Sequence, residues 1–511
     1  METKDRIISI LEELLPISES WIQEKDGMLF FVDPNDGEEI SAHYGATHMA
    51  ATLILYGKET DNQKVYQKGI MLLNSILERW DQSKTLPTFH FDFNNFALCV
   101  IADSIKDSDI SLCQRIQQIV MQTADSSHNT TNWLPMRWFV NLRRQEWSGG
   151  SKYDLICQQC RKYIEKATNS DGGIEDRMPK GMSFNLQYDV ATVSVLQFLR
   201  LRGVEYDLSK ELAFLLNAVA PDGDINYQGR GTNQIFAWGL WVYLLSSAGR
   251  EIELKTALKF WEPKVLKMYQ NNNLILNDYE GDEKYLWWDY HYCSVYCAHF
   301  LFWLVLAIQD YDKAEIEVCQ ENLQEETGLH IYRTEKSFVA TFDGRKEYLS
   351  ERGPVVCAIW TKKHGMLYKG TFGPWQGAFG QRYSNETVLR NYCGLVELKS
   401  LWDKIPTHFL KKLLNRIGVT FEIDTVVKLD KISVKSADTR IELTINTGTT
   451  IKGIFNLPIM DKSTGELTLH LEVDGNMKRL NDVGTVKNQY GTSILIQSVQ
   501  SCGSCWKLTI E

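Results

Sequence analysis

The chain has no excess of basic residues: 55 lysines and arginines stand against 65 aspartates and glutamates in 511 residues, a formal net charge of -10. That balance excludes a general nucleic-acid binder, because a phosphate polyanion needs a dominant basic surface. Long apolar runs are also missing. The best of them, Cys297 to Ile308, is too short to cross a bilayer, so no membrane partner is expected. The opening METKDRIISILEELLP is an amphipathic helix pattern rather than an export signal, which sets the expectation of a cytoplasmic protein, with non-classical export left open. Eleven cysteines form no even framework and read as reduced thiols. Cys502-Gly503-Ser504-Cys505, in what reads as a final hairpin, lacks the second pair of a zinc ribbon and the βαβ setting of a redox site. No metal and no cofactor are expected.

What the chain has in quantity is helical hairpins. To about residue 310, apolar helices alternate with amphipathic ones near 62 to 80, 110 to 124, 150 to 168, 208 to 219 and 253 to 270. Each apolar helix follows a polar and aromatic cluster: Ser41 to Tyr44, His90 to Asn95, Asn132 to Arg137, Ser183 to Tyr188, Gly229 to Asn233, and Trp287 to His291. The recurrence every few tens of residues is that of a helix-hairpin repeat. Six hairpins with apolar inner members close into an (α/α)6 toroid, whose cleft is ringed by the loops before the inner helices.

Residues 311–327 turn glutamate- and glutamine-rich and read as a linker or a final helix. From 328 to 511 the period becomes two, in β-branched segments such as Leu329 to Phe342, Val355 to Trp360 and Arg440 to Thr447. The expected fold class is therefore multidomain α and β: a toroid over 1–310 holding the catalytic machinery, followed by an antiparallel β-sandwich. Ser400 to Ile417, with Pro406, is expected as a helical insertion or an irregular crossover.

The cluster residues suit chemistry on an acidic sugar. Breaking a uronate chain by β-elimination needs donors that neutralise the carboxylate, a base for the C5 proton and an acid for the departing oxygen. Asn94 and Asn95 offer amides, Arg230 a guanidinium between glycines, Tyr188 a phenol, and His90 and His291 imidazoles. Arg137, Arg143 and Arg177 would make the cleft locally basic, while Asn185, Gln187 and Asn233 would contact the sugar. Trp287, Trp288 and Tyr290 supply faces for stacking, and His43 and His48, five residues apart, read as packing or rim residues.

The stretch Asp171 to Leu199, opening Asp171-Gly172-Gly173 with Ser183 placed to start a helix, resembles polysaccharide lyases of the heparinase II/III and alginate lyase type. Asn94-Asn95-Phe96-Ala97-Leu98 resembles their Asn-Asn-His-Ala-Leu segment, Pro221-Asp222-Gly223 sits where they carry another loop, and Thr327 to Arg333 is similar to the first strand of their sandwich. The resemblance implies a toroid with a β domain, Asn95 as carboxylate neutraliser and Tyr188 as acid or base. Two positions depart from the pattern: Phe96 stands where a histidine is usual, and Asp189 follows Tyr188 where another is common. The His-x-His-x-Asp segment of the family's β domain is not found either. Either His90 or His291 takes over the imidazole role, or the reaction differs. Alternatives are a glycoside hydrolase using carboxylates from Glu175, Asp176, Asp224 or Asp289, a C5-epimerase, and a degenerate glycan-binding protein.

Overall fold

The computed structural model describes residues 3–35, 37–83, 90–127, 129–178, 181–229, 235–270, 292–318, 326–343, 355–370, 390, 392–400, 422–426, 431–437, 440–460, 467–488 and 491–511. Twelve described helices run α1 Thr3–Glu19, α2 Gly45–Glu59, α3 Gln63–Ser83, α4 Phe91–Ile105, α5 Ile110–Gln122, α6 Leu134–Ser148, α7 Asp154–Ala167, α8 Leu186–Arg200, α9 Ser209–Ala218, α10 Ile235–Ser247, α11 Glu251–Gln270 and α12 Cys293–Gln309. Two hairpins interrupt them, β1 Ile22–Lys25 with β2 Met28–Phe31, and β3 Glu175–Met178 with β4 Gly181–Phe184.

Burial separates the helices into two kinds. Every residue of α10 is buried, and so is α12 from Cys293 to Ile308, because both are apolar on all sides. By contrast α7 buries only Cys157, Cys160, Ile164 and Ala167, a single stripe at helical spacing. The even-numbered helices contact one another in sequence, α2 to α4, α6, α8, α10 and α12, and α12 returns to α2. The odd-numbered ones lie outside, α3 on α2, α5 on α4, α7 on α6, α9 on α8, α11 on α10, and α1 on α12. This is the closed six-hairpin toroid that the periodicity predicts.

Contacts divide the chain into two compact units, one of Met1–Asn226 and Asn233–Thr327, the other of Tyr227–Thr232 and Gly328–Glu511. In the second unit, β5 Leu329–Arg333, β6 Ser337–Phe342, β7 Val355–Thr361 and β8 Gly365–Lys369 form an antiparallel meander. A larger antiparallel sheet holds β9 Gly394–Ser400, β10 Glu422–Val426, β11 Lys431–Ala437, β12 Arg440–Met460, β13 Leu469–Val473, β14 Asn476–Lys478, β15 Leu480–Asn488, β16 Gly491–Ser498 and β17 Ser501–Ile510. Val339, Ile359 and Leu367 of the meander share one core with Leu395, Leu443, Phe455 and Trp506 of the larger sheet, as a sandwich requires.

Two local expectations are corrected. Ser183 does not start the helix: it pairs with Asp176 in the β3–β4 hairpin, and Asn185 is the cap, its side chain accepting from the backbone N–H groups of Gln187 and Tyr188. Cys502 to Cys505 lie in β17, which pairs with β12 and β13 rather than folding back on β16 as a hairpin. Their loop-like composition is explained by Asp474, whose carboxylate takes the N–H groups of Ser504 and Cys505. No helix is found in the described parts of 311–327, and the segment 401–417 lies outside the described residues. Tyr227, before the Gly229 to Asn233 cluster, groups with the sheet-rich unit and packs edge-on against Phe338 of β6, 5.9 Å between ring centres, while residues 230–233 of that cluster lie outside the described residues.

Candidate functional site

Each inner helix begins just after a loop, and the side chains at four of those beginnings meet. His90 precedes α4 and its Nδ1 lies 3.1 Å from the carbonyl oxygen of Ala42. A carbonyl only accepts, so Nδ1 carries the hydrogen and Nε2 is the basic nitrogen of the neutral ring. The His43 ring lies 4.2 Å away between centres, tilted by 31°, and His43 also meets Tyr292 at 4.8 Å. Trp133, from the tight turn Thr131–Trp133, closes on His90 at 5.5 Å, and Tyr44 stacks on Phe93 at 4.4 Å. Loops before α2, α4, α6 and α12 thus converge on one cluster of imidazole, phenol and indole. His43, Trp133 and Tyr292 are half-buried, while His90 and Tyr44 are buried beneath them.

A second layer lies under this cluster. His48 of α2 and His299 of α12 face each other, Nδ1 to Nδ1 at 3.1 Å. Trp303 Nε1 donates to His299 Nε2, so the hydrogen of His299 sits on Nδ1 and is given to His48. His48 then donates from Nε2 to the carbonyl oxygen of Phe93 at 3.3 Å. Every nitrogen is satisfied only with both rings neutral. Burial holds them so, pushing His48 down to about 3 and His299 well below the usual imidazole range. This pair ties the first inner helix to the last.

The amides divide between holding the ring and standing ready. Asn94 accepts from Thr47 Oγ1 at 2.6 Å and donates to the carbonyl oxygens of His90 and His43, fastening α4 to the loop before α2. Asn95 accepts from Thr123, the residue capping α5, but its Nδ2 is buried with no hydrogen-bond partner among the described residues. Neither end of the Gln187 amide has one either. Asn185 spends its oxygen on the α8 cap. Tyr188 stands half-buried on the first turn of α8, which packs against the Thr131–Trp133 turn bearing the indole of the cluster.

The arginines are occupied. Arg137 forks onto Asp92 at 2.8 Å and also donates to Asn129 and to the carbonyl oxygen of Ser126. Arg143 pairs with Asp103 and Glu146. The backbone of Arg177 is in β3, while its side chain lies outside the described residues, as do Arg230, Asn233, Trp287, Trp288, Tyr290 and His291.

Of the carboxylates named for a hydrolase, Asp176 is buried and accepts from the N–H of Asn132, and Asp224 accepts from the N–H of Asn226. Asp289 is not among the described residues. Asp189, fully buried, accepts from the N–H of Ile174, and burial pushes its carboxyl well above the usual range. Burial thus favours the protonated form of Asp189 where the resemblance leads one to expect a histidine.

His43, Trp133 and Tyr292 join the cluster although their sequence context did not mark them for chemistry. The signal was present for His43, which stands two residues before α2 much as His90 stands directly before α4. Tyr292 directly follows the aromatic segment that drew attention instead.

No protein-family model and no curated protein matches the chain. Among solved structures it is similar to the GH76A alpha-1,6-mannanase from Salegentibacter sp., at 13% identity over 58% of this chain and 98% of the other, with a TM-score of 0.40. A polysaccharide lyase matches at 12% identity over 60% and 98%, with a TM-score of 0.41. The unsaturated glucuronyl hydrolase from Streptococcus agalactiae matches at 11% identity over 62% and 93%, with a TM-score of 0.40. The toroid assignment rests on the helix contacts of the chain itself.

Proposed function

We propose that the protein is a carbohydrate-active enzyme that binds an acidic, uronate-containing polysaccharide or oligosaccharide at the ring mouth and cleaves it by β-elimination. The observation carrying this reading is the cluster in which His43 and His90 meet each other, with Tyr292 against His43 and Trp133 against His90. Elimination asks for one group to take the C5 proton and one to protonate the departing oxygen, and imidazole and phenol do both near neutral pH. His90 is set up for the first task, since the Ala42 carbonyl fixes its proton on Nδ1 and directs Nε2 as the base. Tyr188 serves as the acid, in keeping with the resemblance in sequence. Uncommitted amide hydrogens on Asn95 and Gln187 suit the task of neutralising the carboxylate. Trp133 offers an indole face of the kind that stacks on a sugar ring.

Kinetics on two variants test the assignment. His90→Gln and Tyr188→Phe should each lower kcat roughly 10²- to 10⁴-fold while substrate still binds, the range expected for loss of a general base or acid. Turnover unchanged in both would remove the elimination chemistry from this cluster.

A further inference from the structure

The helical unit contains a cavity of about 510 Å³ between α6 and α7. One wall is the stretch from Asp125 to Arg137, which includes the loop leading to Trp133 of the ring-mouth cluster. The other wall is α7, where Ile156, Gln159, Tyr163 and Lys166 recur every three or four positions and so share one face of the helix.

The charges of the first wall cancel. Arg137, buried, gives its fork to Asp92 at 2.8 Å and donates to Asn129 Oδ1 at 2.6 Å. Asp125, the one acidic side chain in the described lining, accepts from Arg144 at 2.5 Å and from Asn141 at 3.2 Å. On α7 the adjacent Glu165 is paired with Arg161 at 2.8 Å. Lys162 and Lys166 are left over: both line the cavity, both are exposed, and neither has an acidic partner among the described residues. In a chain with net charge -10, two uncompensated ammonium groups thus border one hollow, four residues apart on the same helix. Donors stand beside them. The exposed Gln159 amide has no partner among the described residues, and Asn129 keeps its amide hydrogens because Arg137 takes only its oxygen. Leu134 and Ile156 supply apolar surface, and Tyr163 a half-buried ring.

From this lining we infer that the α6–α7 cavity is a separate saccharide site, which takes a uronate unit of the glycan outside the ring mouth. The ammonium groups of Lys162 and Lys166 receive the carboxylate as point charges, and the amides of Gln159 and Asn129 match the sugar hydroxyls. Leu134, Ile156 and the Tyr163 ring take the C–H face. The volume falls within the roughly 300–1,000 Å³ usual for small-molecule sites. The choice of ligand rests on the proposed function, since a polyuronate held at the mouth presents further acidic units to the neighbouring stretch, but binding in the cavity requires no turnover.

Methyl NMR on the full-length His90→Gln protein, labelled at its isoleucine δ1 methyls, tests it through the Ile156 signal, which Ile156→Val identifies. The probes are a glucuronate-containing disaccharide, a neutral disaccharide of equal size, and acetate. The acidic disaccharide should move the Ile156 signal saturably. Lys162→Gln combined with Lys166→Gln should raise its dissociation constant at least about fivefold, as expected when two charge-assisted contacts are lost, with an unchanged melting temperature. The matching lysine-to-arginine variant should retain most of the affinity. No saturable shift, an equal response to the neutral disaccharide or to acetate, or an unchanged constant in the glutamine variant would overturn the assignment. The signal is local to α7, so it reports on this cavity even if the ring mouth proves to cleave nothing. If the double glutamine variant fails to fold, the single Lys166→Gln variant decides by the same comparison.

Discussion

At the scale of single residues, the His48–His299 pair makes the most definite claim. An unfolded imidazole takes a proton as pH falls through about 6.5, whereas folded His48 declines it until about 3. Stability is therefore complete above that interval and is lost as the pH drops through it. Melting temperatures between pH 7 and pH 4 should fall, and the fall should shrink in His48→Gln, where no second imidazole remains to be protonated beside His299. Glu211 has the opposite sign. Burial raises its carboxyl to about 7 from 4.5, so its contribution is present in acid and lost as pH rises through that range. Glu211→Gln should accordingly melt higher than the parent at pH 8 and show little difference at pH 4. Asn94→Ala, which removes the acceptor for Thr47 and two donors to loop carbonyls, should cost about 1–3 kcal/mol in denaturant unfolding.

At the scale of elements, two Asp-Gly turns show why these loops look as they do. Gly172 has φ +94°, and a Cβ there would meet the Lys210 carbonyl oxygen of α9 at 2.4 Å. Gly223, at φ +100°, abuts the Thr256 carbonyl oxygen of α11 at 2.7 Å in the same manner. Both turns press backbone on backbone against the next outer helix, so the motif that suggests a family is here a packing device repeated around the ring. Asp171 reinforces it by accepting from the hydroxyl and N–H of Thr327. Gly172→Ala should destabilise the fold by more than about 2 kcal/mol, since both the conformation and the space are wrong; urea unfolding will read it. The helices were legible because their apolar spacing is strong, as in the single stripe of α7 and the all-round apolarity of α10. The β3–β4 hairpin was not, since its strands are only four residues long and the first carries Glu175, Asp176 and Arg177 in succession. β17 was hidden for a related reason: Gly503 and Ser504 read as a turn, and only the distant Asp474 shows why they run straight.

At the scale of the whole molecule, the closed helical ring and the antiparallel sandwich follow from a change of period near residue 328, and the contacts divide the chain there. The candidate site was legible in part. His90 and Tyr188 could be named from the loop pattern, but the partnership of His43 with His90 joins widely separated positions and appears only when α2 and α4 lie side by side. Arg137 shows the converse, since its charge suggested a sugar contact while Asp92, far away in sequence, takes up its fork. On the proposal above, this ring mouth performs elimination on an acidic glycan. The most direct test is to incubate the protein with a panel of uronate-containing polysaccharides and follow near-ultraviolet absorbance alongside new reducing ends. At least one polymer should give an unsaturated, absorbing end for every new reducing end. Reducing ends appearing without absorbance would show hydrolysis and contradict it.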